Sequence, residues 1–337
     1  MKNPELKIFA GPDSLDDFNI DEVYQIAEMK ANGKQAVFGT RTVGLKSRTN
    51  FDGVNSDGGF MGYDFDAIMK NFDIFGNGGN ADDLVPLPTV QMAEKIYKDT
   101  GLMCSTEIML PAIQLTCIKK SFADSPFMVW NSAVDQLGWH LRQMGGFAQE
   151  HGWSVGIKNG KWLGEDYTTA ESPKFEGKTN IEVVWDGLAN YASLAPEVNM
   201  IQRGCTLPLP EGLEMTGDYH KSNVTDLPLF RSLPVHYMAK RTKIRHAGDA
   251  KVNMYFDPSH SVGPKLRDKI VDLTVEAMKM KVSENEYLYD GVLIESGTAK
   301  CDTHQHITVA ETQELIDRLA EFRTLVGAGE TVVKQVV

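Results

Sequence analysis

The stretch Val252-Asn-Met-Tyr-Phe-Asp-Pro-Ser-His-Ser-Val-Gly-Pro264 drives an apolar run into a histidine, a glycine and two prolines. Pro258 and Gly263 alone would stop a strand. This one also stops on Asp257 and His260, groups able to bind a metal or move a proton. Its apolar part reads as a strand buried on both faces, the kind found in parallel sheets covered by helices.

Seven other runs follow the same grammar of apolar segment, polar turn and amphipathic segment. They are "LKIFAG" (6–11), "AVFGTRT" (36–42), "LMCSTEIM" (102–109), "FMVWNS" (127–132), "SVGIKNG" (154–160), "VNMIQRG" (198–204) and "GVLIESG" (291–297). Helical patterns lie between them, such as "VQMAEKIYKDTG", "KLRDKIVDLTVEAMKMK" and "AETQELIDRLAEFRTLVG". In the last, Leu315, Leu319, Phe322 and Leu325 recur at helical spacing. Eight alternations predict an α/β chain closed as one (β/α)8 TIM barrel, a single domain over residues 1–337 with extended βα loops. The rival, a doubly wound open sheet, lacks a GxGxxG after its first strand.

The net charge of −12 argues against non-specific nucleic-acid binding. Cys104, Cys117, Cys205 and Cys301 form no CxxC pair and read as reduced thiols. No apolar run approaches the ~18 residues of a membrane span, and "MKNPELK" lacks a signal-peptide core, so the expected address is the cytoplasm.

In such barrels the chemistry sits where the strands end. The eight ends carry Asp13; Arg41 with Lys46, Arg48 and Thr49; Glu107; Asn131; Lys158; Arg203; Asp257 with His260; and Glu295, with Asp302 just beyond. Arg41, Lys46, Arg48, Lys158 and Arg203 have the composition needed for one or two phosphate or carboxylate groups. Asp13, His260, Glu295 and Asp302 are oxygen and imidazole donors sufficient for one divalent cation. Asp13 also reads as a strand-end or capping residue. His304 and His306 in "DTHQH" flank that set rather than both belonging to it.

Six motifs in order, "RTVGLKSRT" (41–49), "VGIKNG" (155–160), "IQRG" (201–204), "FDPSHS" (256–261), "VLIES" (292–296) and "AKCD" (299–302), resemble the superfamily of 3-deoxy-D-arabino-heptulosonate 7-phosphate (DAHP) synthases and 3-deoxy-manno-octulosonate 8-phosphate synthases. The resemblance implies condensation of phosphoenolpyruvate (PEP) with an aldose phosphate and release of phosphate. For the heptulosonate branch it implies erythrose 4-phosphate and a place in the shikimate pathway to aromatic amino acids. It implies that Arg41, Lys46, Lys158 and Arg203 hold PEP, that Arg48 and Thr49 hold the aldose phosphate, and that Glu107 lies near PEP and the attacking water. His260, Glu295 and Asp302 match metal ligands, Asp257 supports His260 as an acid or partner, and Lys46 is the expected proton donor. A homo-oligomer, dimer or tetramer, is expected.

Three positions depart from the family pattern. Asp13 stands where metal-dependent members have Cys, and an oxygen-rich set favours Mn²⁺ or Fe²⁺, with Mg²⁺ next and Zn²⁺ last. Asn131 stands where the family grips the PEP phosphate with Arg, with Lys161 and Lys300 as compensating candidates. Lys-Ser-Arg-Thr replaces Lys-Pro-Arg-Thr ahead of a Gly-rich stretch, 52–80, which reads as a long loop. No regulatory segment is visible before Lys7, so no separate N-terminal regulatory domain is expected. The octulosonate branch, a divergent aldolase with another donor, and a retired metal- and phosphometabolite-binding homologue stay open.

Overall fold

The ends of the barrel strands meet around one closed ring, and that closure places the site. The computed structural model describes residues 4–48, 59–132, 138–158, 180–203, 251–262, 264–300 and 303–329. Its barrel strands are β1 (Glu5–Gly11), β2 (Gly39–Arg41), β3 (Met103–Ile108), β4 (Phe127–Asn131), β5 (Ser154–Lys158), β6 (Glu197–Gln202), β7 (Lys251–Phe256) and β8 (Gly291–Glu295). Each pairs in parallel with the next, and β8 returns to β1, so the sheet closes. Gly11 lies opposite Glu295, Arg41 opposite Ser105, Glu107 opposite Trp130, and Lys158 opposite Ile201. Closure thus gathers residues far apart in sequence at one mouth.

The two-residue side-chain period of β1 explains its two environments. Leu6, Ile8 and Ala10 pack in the layer between strands and helices. Phe9 points the other way, into an inner cluster with Phe38, Val43, Met128, Trp130, Ile201, Tyr255 and Leu293. These bulky side chains fill the barrel, so its interior is packed core rather than a pore.

The described α-helices are α1 (Ile20–Ala27), α2 (Phe65–Gly76), α3 (Pro88–Thr100), α4 (Pro111–Phe122), α5 (Gly138–His151), α6 (Asn180–Ala192), the short α7 (Pro258–Val262), α8 (Ile270–Lys279) and α9 (Val309–Ala320). Proline opens α3, where a missing N–H costs nothing, and Gly101 ends it at φ 73°. Thr308 and Glu311 cap α9 reciprocally. Leu315, Ile316 and Leu319 of α9 are fully buried, at roughly 1.5–3 kcal/mol for each such side chain.

Two expectations change. The last helix stops at Ala320, before Phe322 and Leu325, and the chain adds a ninth strand, β9 (Thr324–Val326), beside Glu5–Lys7 of β1. The stretch read as a loop over 52–80 contains α2 and a short strand, Gly59–Met61, antiparallel to Lys46–Arg48. Residues 52–58, the Gly-rich start of that stretch, lie outside the described residues. Among the described residues no helix is long and apolar enough to cross a membrane.

Candidate active site at the carboxyl end of the barrel

Of the expected site residues, Asp13, Arg41, Lys46, Glu107, Asn131, Lys158, Arg203, Asp257, His260 and Glu295 are all buried at this mouth. Thr49 and Asp302 lie outside the described residues, as does Lys161. Arg48 is the last residue of the strand Lys46–Arg48.

The cations meet carboxylates in three knots. Arg41, from the end of β2, sets Nη2 3.0 Å from Asp13 Oδ1 and 3.2 Å from Glu295 Oε1. Lys46 sets Nζ 2.9 Å from the same Asp13 oxygen and 3.4 Å from Glu107 Oε2. Lys158 sets Nζ 3.1 Å from Asp257 Oδ2. Asp13 therefore bridges Arg41 and Lys46. The Arg41 guanidinium also lies 5.7 Å from the centre of the Trp130 ring, and its Nη1 is buried without a hydrogen-bond partner. Burial works against the charge of Arg41, yet Glu295 and Asp13 raise its pKa above the ordinary value.

The opening stretch folds as its chemistry requires. β7 ends at Phe256, and the turn of α7 brings His260 back over Asp257, whose carboxylate also accepts from the His260 backbone N–H at 3.1 Å. His260 Nδ1 lies 2.8 and 3.0 Å from the two Asp257 oxygens. Burial holds the His260 pKa well below the usual imidazole value. We assign its proton to Nδ1, donating to Asp257, which leaves the Nε2 lone pair available to a proton or a metal. Burial raises Asp257, but His260 and Lys158 outweigh it and hold the carboxyl well below the ordinary range. Burial lowers the Lys158 pKa.

Glu295 behaves in the opposite way. Burial, then Asp13, push its pKa well above that of an ordinary carboxyl. Oε1 makes no hydrogen bond, although it faces Arg41 and lies 3.8 Å from His260 Nδ1. His260 and Glu295 supply an imidazole and a carboxylate, donor types that a divalent ion takes, but the Glu295 oxygen is engaged by Arg41 and the His260 nitrogen nearest it faces Asp257. Asp13 Oδ1 is engaged by Arg41 and Lys46. Among the described residues no group of three or more His, Cys, Asp or Glu side chains converges on a metal position.

Asn131 has a structural task. Its Nδ2 donates to the carbonyls of Ser132 and Lys158, both at 3.0 Å, and its Oδ1 accepts from the Lys158 N–H at 2.8 Å. It ties the end of β4 to the end of β5 and so fixes where Lys158 leaves its strand. Lys300 is turned outward to Asp16, at 2.5 Å, and does not replace the missing arginine in the mouth. Two contributors were not singled out from the sequence. Trp130 is one, and no sequence signal sets it beneath Arg41. Gln305 was hidden between the two histidines of "DTHQH": His304 is exposed, whereas Gln305 and His306 reach Glu295.

No protein-family model matches the chain, and no curated protein matches it in sequence. Solved structures do. A Thermotoga maritima phospho-2-dehydro-3-deoxyheptonate aldolase (DAHP synthase) superposes with a TM-score of 0.54 at 15% identity, covering 93% of this chain and 68% of that one. A truncated 3-deoxy-D-arabino-heptulosonate 7-phosphate synthase of the same organism superposes with a TM-score of 0.51 at 14% identity, covering 93% and 85%. The barrel of this chain is thus similar, over nearly its whole length, to the barrel of DAHP synthases.

Proposed function

We propose that the chain is a PEP-utilising, aldol-type synthase that joins PEP to an aldose phosphate, erythrose 4-phosphate first, and releases inorganic phosphate. The observation that carries this reading is the burial of Arg41, Lys46, Lys158 and Arg203 together with Glu107, Asp257, His260 and Glu295 at the mouth of a barrel similar to those of DAHP synthases.

In this reading C3 of PEP attacks the aldehyde carbon, and a carbon–carbon bond forms as the carbonyl becomes a hydroxyl. Water then adds at C2 of the former PEP, and the phosphate leaves from that carbon. Arg41, Lys158 and Arg203 bind and orient PEP, and their fixed charge stabilises the departing phosphate. Lys46, held between Asp13 and Glu107, gives its proton to the new hydroxyl, and Glu107 orients the water. A divalent cation, Mn²⁺ or Fe²⁺ before Mg²⁺ or Zn²⁺, would be held by His260 and Glu295 with Asp302 and would supply Lewis-acid polarisation of the aldehyde. Asp257 keeps the His260 ring in the orientation such a ligand needs.

The engagement of Asn131 by backbone favours one second reading, an aldolase with another enol or keto-acid donor. PEP consumption with erythrose 4-phosphate and then arabinose 5-phosphate, each after chelation and after Mn²⁺ addition, separates the two. Turnover with either aldose supports the synthase and identifies its branch; none with both rejects it in favour of the second reading. In an active preparation, Lys46→Ala is expected to retain PEP binding and lose at least about 10³-fold in kcat, on the scale of general acid catalysis. An active Lys46→Ala protein would remove Lys46 from the proton path.

A further inference from the structure

The segment that follows β1 lies against the end of β2. Gly11 allows the close approach: a Cβ there would lie 2.5 Å from Thr40 Oγ1 and 3.1 Å from the Arg41 backbone nitrogen. Farther on, the Leu15 N–H donates to the Val43 carbonyl at 2.8 Å, and Asn19 Nδ2 donates to the Ser14 carbonyl at 2.9 Å. Pro12 and Asp13, fixed from both sides, hold one edge of the Arg41 side chain. Arg41 Nε donates to the Pro12 carbonyl at 3.2 Å and Nη2 to Asp13 Oδ1 at 3.0 Å. Nη2 also faces Glu295, whereas Nη1 is buried without a hydrogen-bond partner. The same Asp13 oxygen takes Lys46 Nζ at 2.9 Å, and Lys46 reaches on to Glu107 at 3.4 Å. Charge thus alternates along a row of Glu295, Arg41, Asp13, Lys46 and Glu107, and the two contacts made by Asp13 are its shortest.

We propose that Asp13 is a positioning residue for the anion-binding cations: through one oxygen it fixes Lys46 beside Arg41 and holds Arg41 so that Nη1 is the donor offered to PEP. The proposal rests on the reading that Arg41 binds PEP, but not on the condensation, and it gives Asp13 a task other than the metal ligation expected of it. Two cations gathered for one anion repel each other while the anion is absent, and a carboxylate between them offsets that repulsion. A guanidinium held along its Nε–Nη2 edge cannot swing, so its side-chain freedom is lost before PEP arrives rather than on binding. A buried donor left without a partner is unfavourable, and an anion oxygen at Nη1 supplies what the protein withholds.

The test is calorimetric titration with PEP, without aldose, of wild type, Asp13→Asn and Asp13→Ala. Both variants lack the charge, but only Asp13→Asn keeps an oxygen acceptor for Arg41 and Lys46, so the difference between them reads the acceptor alone. Asp13→Ala is expected to bind PEP about 10–100-fold more weakly than Asp13→Asn, the scale of a lost hydrogen bond to a charged group. Asp13→Asn is expected to stay close to wild type, and matching thermal midpoints of the two variants would show that the loss is not one of folding. With erythrose 4-phosphate added, kcat should fall in the same order, because Lys46 is displaced with Arg41. Equal PEP affinities in the two variants, or tighter binding by Asp13→Ala, would overturn the proposal even where wild type is active, and would make Asp13 a competitor of PEP for the cations. A wild type that binds PEP without turnover would reject the condensation alone and leave the role of Asp13 standing. A wild type that binds no PEP would overturn both.

Discussion

Two buried arginines sit at opposite ends of this barrel and live by opposite rules. Arg323, just past α9 and 3% exposed, donates to the backbone carbonyls of Pro4, Glu5, Met278 and Tyr289 at 3.0–3.3 Å. Its partners are neutral and immovable, and burial lowers its pKa to about 10. Arg41 is 0% exposed, meets carboxylates, and keeps one nitrogen without a partner. The first arrangement closes a structure. The second holds positive charge against carboxylate side chains, with one donor unspent. A buried arginine therefore signals function through what it is paired with rather than through its burial.

The sharpest way to break this contrast is Arg323→Leu. Four carbonyls would lose their donor at once, and with about 1–3 kcal/mol for each buried group left unsatisfied, partly relieved by water, a net loss of ~3–5 kcal/mol is expected. The thermal midpoint should fall clearly while PEP turnover by the folded fraction is unchanged. A midpoint equal to wild type would show that the amino-terminal face has no need of its plug. Arg41→Lys should do the reverse. It keeps the charge and loses the planar fork that spans Asp13 and Glu295, so kcat/KM for PEP should drop about 100-fold with little change in midpoint. Equal kinetics would place Arg41 with Arg323 as a structural group.

The same contrast explains what could be read in the chain beforehand. Barrel strands announce themselves by period and length, and polar residues at the end of an apolar run must point into the mouth once the sheet closes. Lys46, Lys158, Asp257, His260 and Glu295 were therefore legible. Their pairings were not: Asp13 holds both Arg41 and Lys46 because β1 pairs in parallel with β2, a contact that no local spacing encodes. Nor was the ninth strand legible. Phe322 and Leu325 continue a helical spacing, but the chain turns at Ala320 so that Arg323 reaches its carbonyls and Leu325 joins the edge of β1. A three-residue step between apolar residues fits either outcome. Gln305 escaped because a neutral amide carries no signal until the carboxylate it holds is known.

The smallest effect concerns the support of Lys46 from behind. Asp64, 2% exposed, accepts from the Thr89 backbone N–H at 2.9 Å and from Thr89 Oγ1 at 2.5 Å, binding the first turn of α3. Its own N–H donates to Gly44, two residues before Lys46, where a Cβ would lie 2.0 Å from the Asp64 carboxylate. Burial raises Asp64 to about 6 against the two Thr89 hydrogen bonds, from an ordinary value of 3.8. The folded state thus holds this proton more tightly than the unfolded chain. The stabilisation is complete below about pH 4 and is lost as pH rises through about 6, with ~3 kcal/mol as its upper bound. Asp64→Asn keeps an acceptor for the Thr89 N–H and removes the titration. Denaturation midpoints from pH 4 to pH 7 should therefore decline less steeply in the variant than in wild type. Parallel curves would mean that Asp64 titrates alike in both states, because its carboxylate is satisfied by Thr89 alone.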